Sequence, residues 1–215
     1  MPIVILNDDV YALPNPLIGE DGIVAVGGDL TPERLIHAYR AGIFPWYGQE
    51  GPILWHAPNP RYVITPDKFH LPKSAREYIL NTDWSIRINT DFNQVIHHCA
   101  NNPRKGQHGT WIHPEMIEAY KELHLQGYAT SVEVWEKEKL IGGLYGVAMK
   151  NIFFGESMFF LKSGASKVAL NHLCTKMNFE LIDVQIPTTL MENFGAYPMR
   201  LPDFLDILRE NLKAL

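Results

Sequence analysis

Glu156 is the single charged residue of an otherwise apolar run, Ile152-Phe153-Phe154-Gly155-Glu156-Ser157-Met158-Phe159. A charge without a partner is costly in apolar surroundings. The carboxylate therefore either sits at a solvated strand edge or faces a cleft, where a cation or a hydrogen-bond donor meets it. Asp183 and Gln185 are a second candidate pair, two positions apart in Glu180-Leu181-Ile182-Asp183-Val184-Gln185. A strand there turns both side chains to one face, so both can reach one site. The alternative is that Asp183 ends the strand by hydrogen-bonding a backbone turn. Aromatic residues form a third group, with Phe44-Pro45-Trp46-Tyr47, Trp55-His56 and Gly109-Thr110-Trp111-Ile112 in loop-like sequence. Such rings either seal an interface or stack on nucleobases, which contributes about 1–3 kcal/mol per base.

Other chemistries lack their residues. There is no Walker-type phosphate loop and no G-x-G-x-x-G after a strand, so neither ATP nor a dinucleotide is implied. His97-His98-Cys99 does not make a metal site, because adjacent histidines on a helix face different directions and no second cluster completes a tetrahedron. A nucleophile elbow of the G-x-S-x-G type is missing as well.

The elements that must position these residues are legible in part. The first 60 residues are crowded with proline and glycine and leave room for little regular structure beyond one helix after Thr31. There Thr31 suits the cap, Pro32 the first turn and Gly42 the stop. Thr90 or Asp91 opens a helix with Phe92, Val95, Ile96 and Cys99 on its apolar face, and Pro114 opens another with Met116, Ala119, Tyr120 and Leu123. Ser131 to Trp135 alternates like a strand. Leu140 to Ala148 and Ile152 to Met158 read as a hairpin turning at Lys150-Asn151. Gly142, Gly143, Gly146 and Gly155 inside it weaken a strand interior, and mark a bulge or a close approach of another chain or ligand. A helix from Ala165 to Met177, a strand from Glu180 to Gln185 and a helix opened by Pro202 complete the pattern. The class is α+β, with a mostly antiparallel sheet flanked by helices.

Composition narrows the setting. With 215 residues, the chain is long enough for one good-sized domain or two modest ones. No apolar run reaches the roughly 18 residues of a membrane span, and the N-terminus lacks the pattern of a signal peptide. The two cysteines, Cys99 and Cys174, have no paired spacing, which fits a reducing compartment. The cytoplasm is the expected location. A net charge of −5 argues against broad gripping of nucleic-acid phosphates. An RNA partner would be held over a small patch or by its single-stranded end. Arg61, Lys68, Lys73, Arg76, Arg104 and Lys105 are the local basic clusters.

Taken in order, the segments carry a resemblance. Gly27-Gly28-Asp29-Leu30, Ala38-Tyr39-Arg40-Ala41-Gly42-Ile43-Phe44-Pro45-Trp46-Tyr47, Pro52-Ile53-Leu54-Trp55, Pro58-Asn59-Pro60-Arg61 and Gly109-Thr110-Trp111-Ile112 begin the series. Ser131-Val132-Glu133-Val134-Trp135, Gly142-Gly143-Leu144-Tyr145-Gly146-Val147, Gly155-Glu156-Ser157-Met158-Phe159, Ala165-Ser166-Lys167 and Asp183-Val184-Gln185 complete it. The sequence resembles the leucyl/phenylalanyl-tRNA–protein transferase family over nearly its whole length. The resemblance implies a small irregular N-terminal domain, residues 1–62, packed on a GNAT-like acyltransferase domain, residues 63–215. It implies transfer of Leu or Phe, and Met less well, from aminoacyl-tRNA to proteins beginning with Arg or Lys, the tagging step of the bacterial N-end rule pathway.

By position in the family, Gln185 matches the catalytic glutamine, Asp183 holds or polarises it, and Glu156 holds the aminoacyl end or the incoming ammonium. Leu144, Phe153, Met158, Leu173 and Ile182 would line the donor side-chain pocket, with Gly155 making room and Ser157 beside them. Trp46 and Trp111 would pack around the 3′-terminal adenosine. Strict alternation separates Phe153 from Met158, so a shared pocket requires a β-bulge between them. No cofactor and no metal is expected, because an aminoacyl ester is already activated, and a monomer is the simplest state. Two other readings remain open: a tRNA-end-binding homologue with weakened catalysis, and a GNAT-like acetyltransferase using acetyl-coenzyme A. The chain departs from the family pattern at His56-Ala57, Thr130, Val184 and Thr189-Leu190-Met191-Glu192-Asn193-Phe194-Gly195-Ala196.

Overall fold

The computed structural model describes residues 3–48, 51–80, 83–101 and 111–213. Gly109, Thr110, Arg104 and Lys105 lie outside the described residues.

The first 60 residues hold more regular structure than their prolines and glycines suggest. Strands β1 (Val4–Leu6), β2 (Ile23–Gly27), β3 (Phe44–Pro45) and β4 (Leu54–His56) form a small sheet in the order β1-β2-β4-β3. They are so short that each fits between successive turn residues. Helix α1 (Pro32–Arg40) lies between β2 and β3. Thr31 precedes α1 without a side-chain cap bond, so Pro32 at the first turn is the stronger start signal. Gly42 sits at φ 76°, a left-handed conformation that glycine adopts without penalty.

The large sheet takes strands β5 (Arg61–Ile64), β6 (Trp84–Ile88), β7 (Ala129–Glu136), β8 (Lys139–Met149), β9 (Ile152–Phe160), β10 (Leu181–Gln185) and β11 (Tyr197–Met199). Their order is β11-β5-β10-β9-β8-β7-β6. Every neighbouring pair is antiparallel except β9 and β10, which run parallel because α5 (Ala165–Lys176) carries the chain back between them. The remaining helices are α2 (Lys73–Leu80), α3 (Phe92–Asn101), α4 (Pro114–Leu125), α6 (Thr189–Glu192) and α7 (Leu201–Lys213).

Two apolar clusters cover the two faces of this sheet. One gathers Leu35 and Tyr39 of α1, Phe44 and Trp55 of the small sheet, Phe92, Tyr120, Phe154 and Phe204. The small sheet and the large one therefore share a core. The other gathers Val132, Val134, Ile141, Leu144, Phe153, Leu173 and Ile182, with α2 and α5 packed on it. Each fully buried ring in these clusters contributes roughly 1.5–3 kcal/mol of transfer free energy. Because both faces are covered, Ser131 and Glu133 of β7 are fully buried, although their alternation with Val132 and Val134 reads as a solvent face.

Candidate active site

The β8–β9 hairpin is built around a defect. Tyr145 pairs with Ser157 and Gly146 with Gly155, which leaves Glu156 without a partner on β8. That is a β-bulge, and its glycines have a steric reason. A Cβ on Gly146 would come within 2.1 Å of the Phe154 carbonyl oxygen and 2.6 Å of the Phe153 ring. The bulge shifts the alternation by one residue. Phe153 then shares one apolar cluster with Leu144, Leu173 and Ile182, and Met158 packs against the same cluster.

Glu156 is 9% exposed, and three neutral donors converge on it from separate elements. Tyr39 of α1 donates to Oε1 at 2.7 Å, Tyr120 of α4 to Oε2 at 3.1 Å, and the Gln185 side-chain nitrogen to Oε1 at 3.0 Å. The two tyrosine hydroxyls also lie 2.5 Å from each other. Burial pushes the Glu156 carboxyl up to about 7, and Asp183's charge adds to the rise. The three donors work in the opposite direction by stabilising the ionised form. Burial also holds both tyrosines well above the usual phenol range, with the Glu156 charge beside them adding to it. They act as fixed donors and do not give up their protons near neutral pH.

Asp183 and Gln185 are held by different partners. On β10, Asp183 pairs with Val63 and Gln185 with Tyr62, so Val184 is an extra residue. Gln185 takes φ 66°, rare for a residue with a side chain. Asp183 is fully buried, and both of its oxygens meet Arg61: Nε to Oδ1 at 2.8 Å and Nη2 to Oδ2 at 2.6 Å. Its contact with Gln185 is through the backbone, where the Gln185 N–H donates to Oδ1 at 2.9 Å. Asp183 thus holds the Gln185 main chain and does not touch its amide side chain. The Gln185 nitrogen faces Glu156, because a carboxylate only accepts.

The expected donor-pocket residues are brought together, but unequally exposed. Leu144, Phe153, Leu173 and Ile182 are buried, while Gly155, Ser157 and Met158 are half-buried. Trp46 is 39% exposed, its ring 5.5 Å from that of His56 and its carbonyl 2.8 Å from the His56 Nε2. Trp111 is half-buried against the core. Arg61 cannot meet tRNA as its place among the basic clusters suggests, because it is fully buried, whereas Lys68, Lys73 and Arg76 are exposed.

Tyr39 and Tyr120 are the site residues that sequence reading passes over. Both sit on apolar helix faces, and there was one signal: a buried phenol hydroxyl needs a polar partner.

Residues 63–209 match the family described as leucyl/phenylalanyl-tRNA protein transferase, and residues 28–59 match the N-terminal domain of that transferase. The leucyl/phenylalanyl-tRNA–protein transferase of Shewanella baltica (strain OS223) is 47% identical over 212 residues, covering 95% of this chain and 89% of that protein. The Myxococcus xanthus enzyme of the same name is 47% identical over 218 residues, covering 99% and 93%. Among solved structures, a GCN5-related N-acetyltransferase from Kribbella flavida is similar at 9% identity and a TM-score of 0.40, covering 77% of this chain and 60% of its own. A protein from Bacteroides thetaiotaomicron gives 12% identity and a TM-score of 0.45, covering 71% and 55%. The sequence matches span nearly the whole chain and include the strands that carry Glu156, Asp183 and Gln185, and on them the chain belongs to the leucyl/phenylalanyl-tRNA–protein transferase family.

Proposed function

We propose that this chain transfers Leu or Phe, and Met less well, from aminoacyl-tRNA to proteins whose first residue is Arg or Lys, marking them for N-end rule degradation. The observation that carries the reading is the convergence on Glu156 of Tyr39, Tyr120 and Gln185 beside an apolar cluster. The donor's apolar side chain enters at Met158, Gly155 and Ser157, towards Phe153, Leu144, Leu173 and Ile182. Trp46 and Trp111 pack around the terminal adenosine.

The chemistry needs no cofactor, because the ester is already activated. The acceptor's α-amine has a reference pKa of about 7.7–8.0, so a useful fraction is neutral near pH 7. Gln185 accepts an N–H of that amine through its carbonyl and aims the lone pair at the ester carbon. The C–N bond forms, the bond to the ribose oxygen breaks, and one amine proton has to leave. Glu156, held near pH 7 by burial, takes that proton and returns it to the ribose oxygen. Amide and free tRNA are the products, and atoms balance.

The same reading divides the chain at residue 62, which lies past the last strand of the small sheet at His56 and inside β5 (Arg61–Ile64). It makes the protein a monomer of the cytoplasm. Among the described residues no helix is long and apolar enough to cross a membrane.

The test is to incubate the protein with Phe-tRNA and a peptide beginning with Lys, and to weigh the peptide. A mass gain of one phenylalanyl residue at the N-terminus is expected. No gain with tRNA binding intact would mean a binding homologue that has lost catalysis, and detectable coenzyme A binding by calorimetry would revive an acetyltransferase.

A further inference from the structure

Arg61 contributes a fully buried guanidinium at the start of β5. Its carbon lies 4.7 Å from the centroid of Phe44, in the small sheet, and 4.9 Å from that of Phe204, on α7. The guanidinium is thus seated by aromatic rings from the first and last parts of the chain. From that seat it grips Asp183 with both arms, at 2.8 Å and 2.6 Å. The oxygen held by Nε is the same Oδ1 that accepts the Gln185 backbone N–H. Gln185 in turn stands at φ 66° beyond the β10 bulge, and its side-chain nitrogen reaches Glu156 at 3.0 Å.

A left-handed backbone at a residue with a side chain persists only where its surroundings over-determine it. Here Gln185 is held by its own N–H on the Asp183 carboxylate at 2.9 Å, by the Ile186 N–H to Val184 carbonyl bond of 2.8 Å that spans it and by its pairing with Tyr62, and the fork of Arg61 sets the plane of that carboxylate. We infer that Arg61 is a positioning residue for the transfer reaction, acting through Asp183 to aim the Gln185 amide. The inference rests on the role given to Gln185 under the proposed function. Arg61 itself touches no substrate. It keeps Asp183 from turning, so Gln185 stays in its left-handed conformation with its nitrogen on Glu156 and its carbonyl towards the amine. Lysine in its place supplies charge but not a two-armed hold, because an ammonium is a point cation.

The experiment measures single-turnover transfer to a Lys-peptide for Arg61→Lys in the wild-type background and in a Gln185→Ala background. In the wild-type background the maximal rate is expected to fall about 10- to 100-fold, with donor and acceptor KM little changed, as a misplaced reacting group gives. In the Gln185→Ala background the same substitution should cost less than about twofold, because nothing remains to aim. Equal losses in both backgrounds would overturn the inference and make Arg61 merely structural. An unchanged rate in folded Arg61→Lys would also overturn it. Should Arg61→Lys not fold, the comparison is made with Phe204→Leu, which opens one side of the guanidinium's seat and leaves the ion pair's own atoms in place. The same non-additivity supports the inference there, and equal losses reject it. A wild-type rate in Gln185→Ala alone would instead remove the proposed role of Gln185, and this inference with it.

Discussion

Glu133 and Glu156 are both buried glutamates of the large sheet, on β7 and β9, and among the described residues neither is hydrogen-bonded to a cation. Each receives three neutral donors. For Glu133 these are the Ser131 hydroxyl at 2.8 Å, the Trp135 indole at 3.0 Å and the Asp91 backbone N–H at 2.8 Å. Ser131 and Trp135 are two residues away on its own strand, and Asp91 directly precedes α3. Every one of these groups is held by the sheet or at the helix start, where partial positive charge favours an anion. Glu156 stands on a bulge, and its donors come from 117, 36 and 29 residues away. Its carboxyl is pushed up to about 7, and one of its donors is the Gln185 side-chain amide. Burial and donor number do not separate a structural acid from a chemical one. What separates them is where the donors come from: the acid's own strand and an adjacent helix start for Glu133, three distant segments for Glu156.

The sharpest way to break this contrast is to neutralise each acid in turn. Glu156→Gln should lower the transfer rate by about 10²–10⁴ while the protein stays folded, because a proton acceptor is lost and no ionised carboxylate need be buried. Glu133→Gln should do the reverse. It leaves buried donors poorly matched, so stability should fall by about 1–3 kcal/mol in a denaturant titration, with the folded fraction transferring at the wild-type rate. A rate loss in both variants, or in neither, would erase the distinction.

The next effect is on stability against pH. A carboxyl pushed from an ordinary 4.5 up to about 7 binds more protons folded than unfolded between those values. Stability from this group is therefore fully present below about pH 4.5 and lost as pH rises through about 7, by up to roughly 3 kcal/mol. Denaturant midpoints between pH 5 and 8 should show this slope in the wild type, and Glu156→Gln should flatten it. Tyr39→Phe or Tyr120→Phe removes a donor to the ionised form, so the proton affinity of Glu156 rises. The rising limb of the pH–rate profile should move to higher pH by about one unit or less, with little change in KM. The smallest effect belongs to the proposed donor pocket. Met158→Ala should shift preference towards bulkier donors by about 1–3 kcal/mol at most, read as the ratio of transfer from Phe-tRNA and Leu-tRNA.

Much of this was legible without coordinates. The helices Pro32–Arg40, Phe92–Asn101, Pro114–Leu125 and Ala165–Lys176 follow from apolar spacing and from proline and glycine punctuation, because both act within a few residues. The hairpin follows from alternation, and the need for a bulge between Phe153 and Met158 from setting that alternation against the shared pocket that the family resemblance implies. The small sheet and strands β5, β6 and β11 were not legible, since runs of two to five residues are too short to display a period. The separate partners of Asp183 and Gln185 were not legible either, because the extra Val184 interrupts the alternation and only the register against β5 reveals it.

The sequence by itself determined the chain's family and singled out Glu156, because an isolated acid and several glycines in an apolar hairpin are conspicuous at short range. Tertiary structure alone decided that Glu156 meets Tyr39, Tyr120 and Gln185, and that Asp183 belongs to Arg61. It alone decided that Glu133, charged and alternating like a surface residue, is buried. The physical reason is the same each time. A hydrogen bond or a covered sheet face is a contact between segments far apart in the chain, and local periodicity carries no record of which distant segment arrives.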